Sequence, residues 1–314
     1  MFTKVKVVFF LLGLTGIFLF MKGYVRQRPL QLNGMACSCD ICSADDGDAW
    51  FSERFNKSVE PFLTAEYALP EDAFQWWKVL QYEKRSIDDF RKTQKELFQV
   101  FPRTPDVQKA SHDHCRTCAV VGNSGNLRGS RYGPLINSHD VILRMNTARV
   151  QGYEADVGDR TTHRVMYPES SMDLDNNTHL VLFPFKIQDL EWLTKAFTTG
   201  FHGTSYLPVR SKIKANKNLA MVINPAFMQY VHETWLMKKG RYPSTGFIAL
   251  VMALHICDEV HVFGFGADKD GNWSHYWEAL RDKKLRTGVH PGTQEYDIII
   301  KLAKQLKIKF YKGW

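Results

Sequence analysis

The chain reads as an α/β protein, a single domain with a largely parallel sheet flanked by helices. Two observations predict this. From Cys115 onward, short runs rich in valine, isoleucine and leucine alternate with longer segments of helical period. Several of those runs stop at glycine, asparagine or proline, which punctuate strand ends. Strands separated by helices form βαβ units, whose crossovers make neighbouring strands parallel. The 314 residues supply ample material for the core such a sheet needs.

Each element follows in turn. Aromatic density in "FQWWKVLQYEK" (74–84) marks the first helix of the domain. "CAVVG" is a short buried strand, and "NLRGSRYGPLIN" after it is a loop or helix. "DVILRMN" is a strand ending at Asn146. "HLVLFPFK" (179–186) is another, followed by the helix "DLEWLTKAF" (189–197) with Asp189 near its start. "LAMVINP" (219–225) is a strand stopped by Pro225. In "FMQYVHETWLMKKG" the spacing puts Phe227, Tyr230, Val231 and Trp235 on one helical face, with Gly240 as the stop. "STGFIALVMALHIC" is a buried helix, "DEVHVFGFG" a strand, and "TQEYDIIIKLAKQLKIKFYKG" a helix and then a strand.

Ahead of this body lies an apolar run. Residues 7–21 carry no charge and sit between Lys6 and Lys22. The run is shorter than the ~17–25 residues of a spanning helix, but lysine stems snorkel and thin membranes accept shorter spans. A cleaved signal peptide is the rival reading; no small-residue cleavage site follows the run, which favours an uncleaved anchor. The expected organisation is a cytosolic tail (1–6), a transmembrane signal anchor (7–21), a lumenal stem (22–60) and a lumenal body (61–314).

Six cysteines, spaced C-x-C-x-x-C and C-x-x-C with one more at Cys257, could ligate zinc in a reducing compartment. Beyond an anchor they read as disulfides, with fifteen pairings open. Asn56, Asn176 and Asn272 head glycosylation sequons that suit a lumenal body. The net charge of +8 fits a solvated basic surface, an anionic substrate or a membrane surface. No nucleic-acid motif or Lys/Arg block accompanies it.

Three loops carry candidate chemistry. "VVGNSGNLRGS" (120–130) lets backbone N–H groups approach a phosphate or ribose. Its glycine spacing is not G-x-G-x-x-G, the next strand ends in Asn146 rather than an acid, and no G-K-[ST] follows. An NAD or ATP enzyme is therefore disfavoured. In "GRYPSTG" (240–246), Ser244 and Thr245 stand where hydroxyls cap a helix whose N-terminus also suits an anion. In "GFGADKDGNWSHYWE" (264–278), Gly264 and Gly266 follow a strand, and His275 sits among Tyr276 and Trp277. His290 follows in "TGVHPGTQE". Imidazole titrates near neutral pH and suits proton abstraction from a sugar hydroxyl, with Glu278 and Glu295 as competing bases. D-x-D pairs, which hold a metal on a diphosphate, occur at 46–48, 173–175 and 268–270; only Asp268 and Asp270 follow a strand end near the other motifs.

Taken together these residues resemble glycosyltransferase family 29, the animal sialyltransferases. "CRTCAVVGNSGNLRGSRYGPLINSHDVILRMN...GYEADVGDRTTHRVMYPES" resembles the family's large sialyl motif, and "NPAFMQYVHETWLMKKGRYPSTGFIALVMALHICDEVHVFGFGAD" its small one. "HYWE" and "HPGTQE" are similar to the third and the very short motifs. "WWKVLQ", "GNWSHYWE" and "GRYPSTG" look most like the β-galactoside α-2,3-sialyltransferases that act on Galβ1-3GalNAc. The resemblance implies a variant GT-A fold in a type II Golgi membrane protein, using CMP-sialic acid as donor, inverting, with no metal or other cofactor. Galβ1-3GalNAc-terminated glycoproteins or glycolipids would be acceptors; self-association is left open. By the same resemblance Asn123 and Asn146 would contact the nucleotide, Ser244, Thr245 and Gly246 the cytidine or ribose, and Gly264 and Phe265 the same pocket. His275 would contact the donor phosphate and His290 would be the general base. Tyr206 and Tyr242 match positions near phosphate or acceptor, and Gln81 an acceptor contact. Cys118–Cys257 matches the bridge between the two large motifs, with Cys37–Cys42 and Cys39–Cys115 as the remaining pairs. This chain departs from the subfamily in "ALRDKKLRTGVH", which is shorter and more charged, and in Pro291, where an acidic residue is expected. Two other readings remain: a metal-dependent glycosyltransferase using Asp268 and Asp270, and a membrane-anchored glycan-binding relative without catalysis.

Overall fold

The computed structural model describes residues 37–39, 42–43, 48–107, 113–278 and 288–313. The apolar run at 7–21, read above as an anchor, lies outside them, as does the tail before it. Among the described residues no helix is long and apolar enough to cross a membrane.

In chain order the elements are α1 (Ala49–Ser52), α2 (Glu71–Lys78), α3 (Ile87–Val100), β1 (Thr117–Val121), α4 (Gly133–Asn137), β2 (Val141–Met145), α5 (Glu154–Val157), β3 (His163–Met166), β4 (His179–Leu182), α6 (Ile187–Ala196), β5 (Ala220–Val222), α7 (Pro225–Tyr230), α8 (Thr245–Ile256), β6 (Glu259–Phe263), α9 (Gly292–Lys304) and β7 (Lys309–Tyr311). The seven strands form one sheet in the order β5-β4-β3-β2-β1-β6-β7. Every pairing is parallel, from Cys118 beside Val141 to Phe263 beside Tyr311. The order reverses at β1, where the chain winds first one way and then the other.

Helix α8 is the centre of the core. Phe247 to Leu254 are all buried, so it has no polar face, and it packs on β1, β2, β3 and β6. A helix apolar all round must be covered on every side; the sheet covers one side, and α8 shares its core cluster with α1, α2, α3, α6, α7 and α9. The packed body begins inside the segment read as stem: Phe51 on α1 is fully buried, stacked on Phe55 at 5.1 Å. Three disulfides are present, Cys37–Cys42, Cys39–Cys115 and Cys118–Cys257. The cysteines are therefore oxidised rather than available to zinc.

Several elements differ from their sequence reading, each for a local reason. The domain's aromatic helix starts at Glu71 after Pro70 and stops at Lys78, so Gln81 lies on the loop beyond it. Helix α3 had not been anticipated; it is set by a capping box in which Ser86 Oγ accepts from Asp89 N while Asp89 returns to Ser86 N. Strand β3 was also missed, because half of "HRVM" is polar. His163 is buried by stacking on His179 at 4.3 Å, and Arg164 is buried by donating to the carbonyls of Asn146 and Ala148. Pro225 opens α7 rather than only closing β5, with Asn224 as its cap. The helix expected to run to Gly240 breaks earlier: Val231–Trp235 form a π-turn, and Met237 and Lys238 turn left-handed at φ 50° and 61°.

Candidate active site

Ligands of parallel α/β sheets sit beyond the carboxyl ends of the strands where the strand order reverses. A cavity of about 550 Å³ lies at that place. Three of its walls are strand ends: Gly122 and Asn123 after β1, Met145 closing β2 with Asn146 after it, and Gly264 and Phe265 after β6. The loops after β1 and β6 interlock, with Gly122 N donating to Phe263 O and Ser124 N to Gly264 O. A Cβ on Gly122 would stand 2.2 Å from Gly264 O, so only glycine permits this approach.

The two asparagines are held differently. Asn146 takes a left-handed backbone at φ 53°, which asparagine tolerates, and its Oδ1 accepts from Ser170 Oγ at 2.9 Å. Arg164 fastens its carbonyl from below at 3.1 Å. Asn123 Oδ1 is buried with no partner among the described residues. A buried acceptor left unpaired is unfavourable by about 1–3 kcal/mol, which a ligand donor would relieve.

The fourth wall is the N-terminus of α8, where Ser244, Thr245 and Gly246 line the cavity. Ser244 Oγ accepts from Phe247 N at 3.1 Å and donates to Glu295 Oε2 at 2.6 Å. Glu295 also accepts from Ser244 N at 2.7 Å, and burial pushes its carboxyl pKa up against these bonds. Glu295 is thus engaged with the α8 terminus, which weakens its candidacy as the base.

His290 and His275 both line the cavity, on separate loops. His290 Nδ1 lies 3.2 Å from the Tyr242 carbonyl, which can only accept, so Nδ1 carries the proton and Nε2 the lone pair. Burial holds this ring below the ordinary histidine pKa, opposed by the Tyr242 carbonyl. It is therefore neutral at neutral pH. His275 stacks on Trp277 at 4.6 Å and turns Nδ1 to Glu278 at 2.8 Å. That contact occupies Glu278, the other competing base.

Tyr242, Tyr206 and Gln81 close the remaining side. Burial raises the Tyr242 phenol pKa, which keeps it a hydrogen-bond donor. Tyr206 is 61% exposed at the mouth. Tyr167, Phe185 and Trp273 also line the cavity and were not singled out from sequence. Tyr167 follows the missed β3, and Phe185 packs edge-on against Tyr242 at 5.2 Å, a contact that no local pattern announces.

Asp268 and Asp270 do not line this cavity. Asp268 Oδ1 accepts from the backbone of Asp270 and Asn272, each at 2.9 Å, so its carboxylate builds its own turn. Asp173 and Asp175 similarly accept from Lys214 and Thr178. At the Asn272 sequon the residue is 3% exposed and its amide donates to Asp268 Oδ2. Asn56 and Asn176 are exposed.

Strand-end loops and a helix terminus suited to an anion, sharing one cavity with a neutral imidazole, make a group-transfer site. The chain belongs to glycosyltransferase family 29, the sialyltransferases, whose model matches residues 62–307. It is 50% identical over 284 residues to the CMP-N-acetylneuraminate-beta-galactosamide-alpha-2,3-sialyltransferase 1 of Gallus gallus, covering 88% of this chain and 82% of the relative. The Homo sapiens protein of the same name is 46% identical over 303 residues, covering 93% and 85%. A solved mammalian sialyltransferase in complex with Gal-beta-1-3GalNAc-ortho-nitrophenol is 47% identical and superposes with a TM-score of 0.82, covering 88% of this chain and all of that one.

Proposed function

We propose that this chain transfers sialic acid from CMP-sialic acid to O3 of the terminal galactose of Galβ1-3GalNAc glycans, forming an α-2,3 linkage with inversion and without a metal. The observation that carries this reading is His290, a neutral ring with its lone pair on Nε2, lining the same cavity as the anion-suited α8 terminus. The relatives' printed specificity for a beta-galactosamide and an alpha-2,3 linkage supports it, as does the Gal-beta-1-3GalNAc compound in the solved relative.

In this mechanism His290 Nε2 removes the proton from galactose O3 as that oxygen attacks the anomeric carbon. The C–O bond to the phosphate breaks on the opposite face, and CMP departs with the electron pair. His275 and the α8 N–H groups stabilise the charge that grows on the leaving phosphate. Asn123 and Asn146 grip the nucleotide, Ser244, Thr245 and Gly246 lie along cytidine or ribose, and Gly264 and Phe265 complete that pocket. Tyr206 and Tyr242 serve the phosphate or acceptor, and Gln81 the acceptor. CMP has a single phosphate, so no metal clamp on a diphosphate is required. The family reading also gives the chain a Golgi location, with residues 7–21 as signal anchor and a lumenal catalytic body that takes in 61–314 and, by its packing, Phe51 on α1.

His290→Ala is expected to lower transfer by ~10²–10⁴-fold while CMP affinity, measured calorimetrically, stays unchanged. Transfer at the parent rate would overturn the assignment. Activity in excess EDTA is expected to equal that without it; its loss would favour the Asp268/Asp270 reading instead.

A further inference from the structure

Behind the wall that carries Gln81 and Tyr206 sits a charged cluster outside the cavity lining. Lys186, at the turn from β4 into α6, has a side chain only 13% exposed. Its ammonium lies 3.0 Å from Asp189 Oδ1, 2.9 Å from Gln81 Oε1 and 3.6 Å from Glu169 Oε1. The Asp189 and Glu169 side chains are 3% and 2% exposed. The same ammonium stands 5.7 Å from the centre of the Tyr206 ring, and Glu169 accepts from Ser205 Oγ next door.

The bland account is that this cluster caps α6. Capping, however, needs only Asp189, whose Oδ2 accepts from Phe185 N at 2.7 Å and Lys186 N at 3.3 Å. The ammonium lies 3.0 Å from the other oxygen of that carboxylate, and it also reaches residues distant in sequence, Gln81 on the loop after α2 and Glu169 after β3. A buried cation is expensive to desolvate, and its contacts must be matched by fixed acceptors. Fixing the acceptors is here the consequence that matters. With its Oε1 held by Lys186, Gln81 has its amide NH2 left for a ligand, as a donor to a sugar oxygen.

We propose that Lys186 is a positioning residue for the acceptor: its ammonium orients the Gln81 amide and braces the loop bearing Tyr206, and it touches neither substrate. The inference rests on the sialyl-transfer reading above, in which Gln81 meets the acceptor.

The test is steady-state kinetics on the purified protein with CMP-sialic acid and Galβ1-3GalNAc. Lys186→Met is expected to raise the acceptor KM about tenfold, the effect of losing a charge-assisted bond, with the donor KM unchanged. Lys186→Arg, which keeps the charge, recovers part of that loss. Gln81→Ala alone raises the acceptor KM, and adding it to Lys186→Met raises it no further, since both changes break one interaction. Because Lys186→Met leaves two buried carboxylates without their cation, Lys186→Met/Asp189→Asn serves as the second variant; asparagine keeps the acceptor that the α6 cap uses. The proposal is overturned if the donor KM rises in step, if the Gln81 and Lys186 effects add, or if the folded double variant keeps the parent acceptor KM. An inactive parent protein would instead overturn the sialyl-transfer reading, so the two failures are distinguishable.

Discussion

At the scale of single residues, what distinguishes this cavity is how its polar atoms are committed. Glu295 in its wall, and Glu278 and Asp268 outside the lining, each spend their carboxylates on nearby N–H or O–H groups or on a histidine. His290 donates its Nδ1–H to the Tyr242 carbonyl, which in the neutral ring puts the lone pair on Nε2. Its pKa is pushed below 6.5 by burial, and the neutral form is the active base. The sign follows: activity holds as pH falls past 6.5 and is lost only as the ring protonates below that value. A pH profile of kcat/KM is expected to show its acidic limb below pH 6.5; a limb above it would assign the base elsewhere. Asn123→Ala removes the unpartnered acceptor, and CMP affinity is expected to fall about tenfold with thermal stability not lowered.

At the scale of elements, the N-terminus of α8 joins stability to the site. Ser244 caps the helix and is itself gripped by Glu295 from the first turn of α9. Ser244→Ala is expected to destabilise the fold by about 1–2 kcal/mol, read by urea denaturation, since it removes a cap and one of the partners of a buried carboxylate. A change below 0.5 kcal/mol, near the lower limit for lost caps, would show that Glu295 and the remaining N–H groups hold the terminus without the hydroxyl. Strand β3 makes a different point. His163 is held at about 3 by burial, so it is neutral when folded and protonates near 6.5 when unfolded. The unfolded chain binds the extra proton, and stability is therefore lost as pH falls from 6.5 toward 3.

At the scale of the molecule, the Cys118–Cys257 bridge closes a separation of 139 residues and ties β1 to the C-cap of α8. Those two elements carry the Asn123 loop and the Ser244 terminus at their other ends. Replacing both cysteines by alanine is expected to lower stability by about 2–4 kcal/mol, with CMP affinity falling as well because the two binding ends lose their common anchor. Unchanged affinity in the folded variant would show that sheet packing alone aligns them. The alternation of apolar runs and helical segments made the parallel α/β class legible from Cys115 onward, and the motif loops made most of the cavity legible too. Strand β3 was not, because periodicity reports side chains that prefer to be buried, whereas His163 and Arg164 are buried by partners on β4 and by carbonyls after β2. Tyr167 and Phe185 went unread for the same reason: their place in the wall exists only once β3 and β4 are placed. By itself the sequence determined the kinds of chemistry present, because an imidazole, a helix-capping serine and a glycine turn carry their properties locally. Only the tertiary structure decided which of these groups share a cavity, which carboxylates are already committed, and that Lys186 stands behind Gln81. Those outcomes depend on contacts that local pattern does not carry, across 51 positions from Ser244 to Glu295 and 105 from Gln81 to Lys186. Local pattern encodes that a side chain is buried, and the fold selects the partner it is buried against.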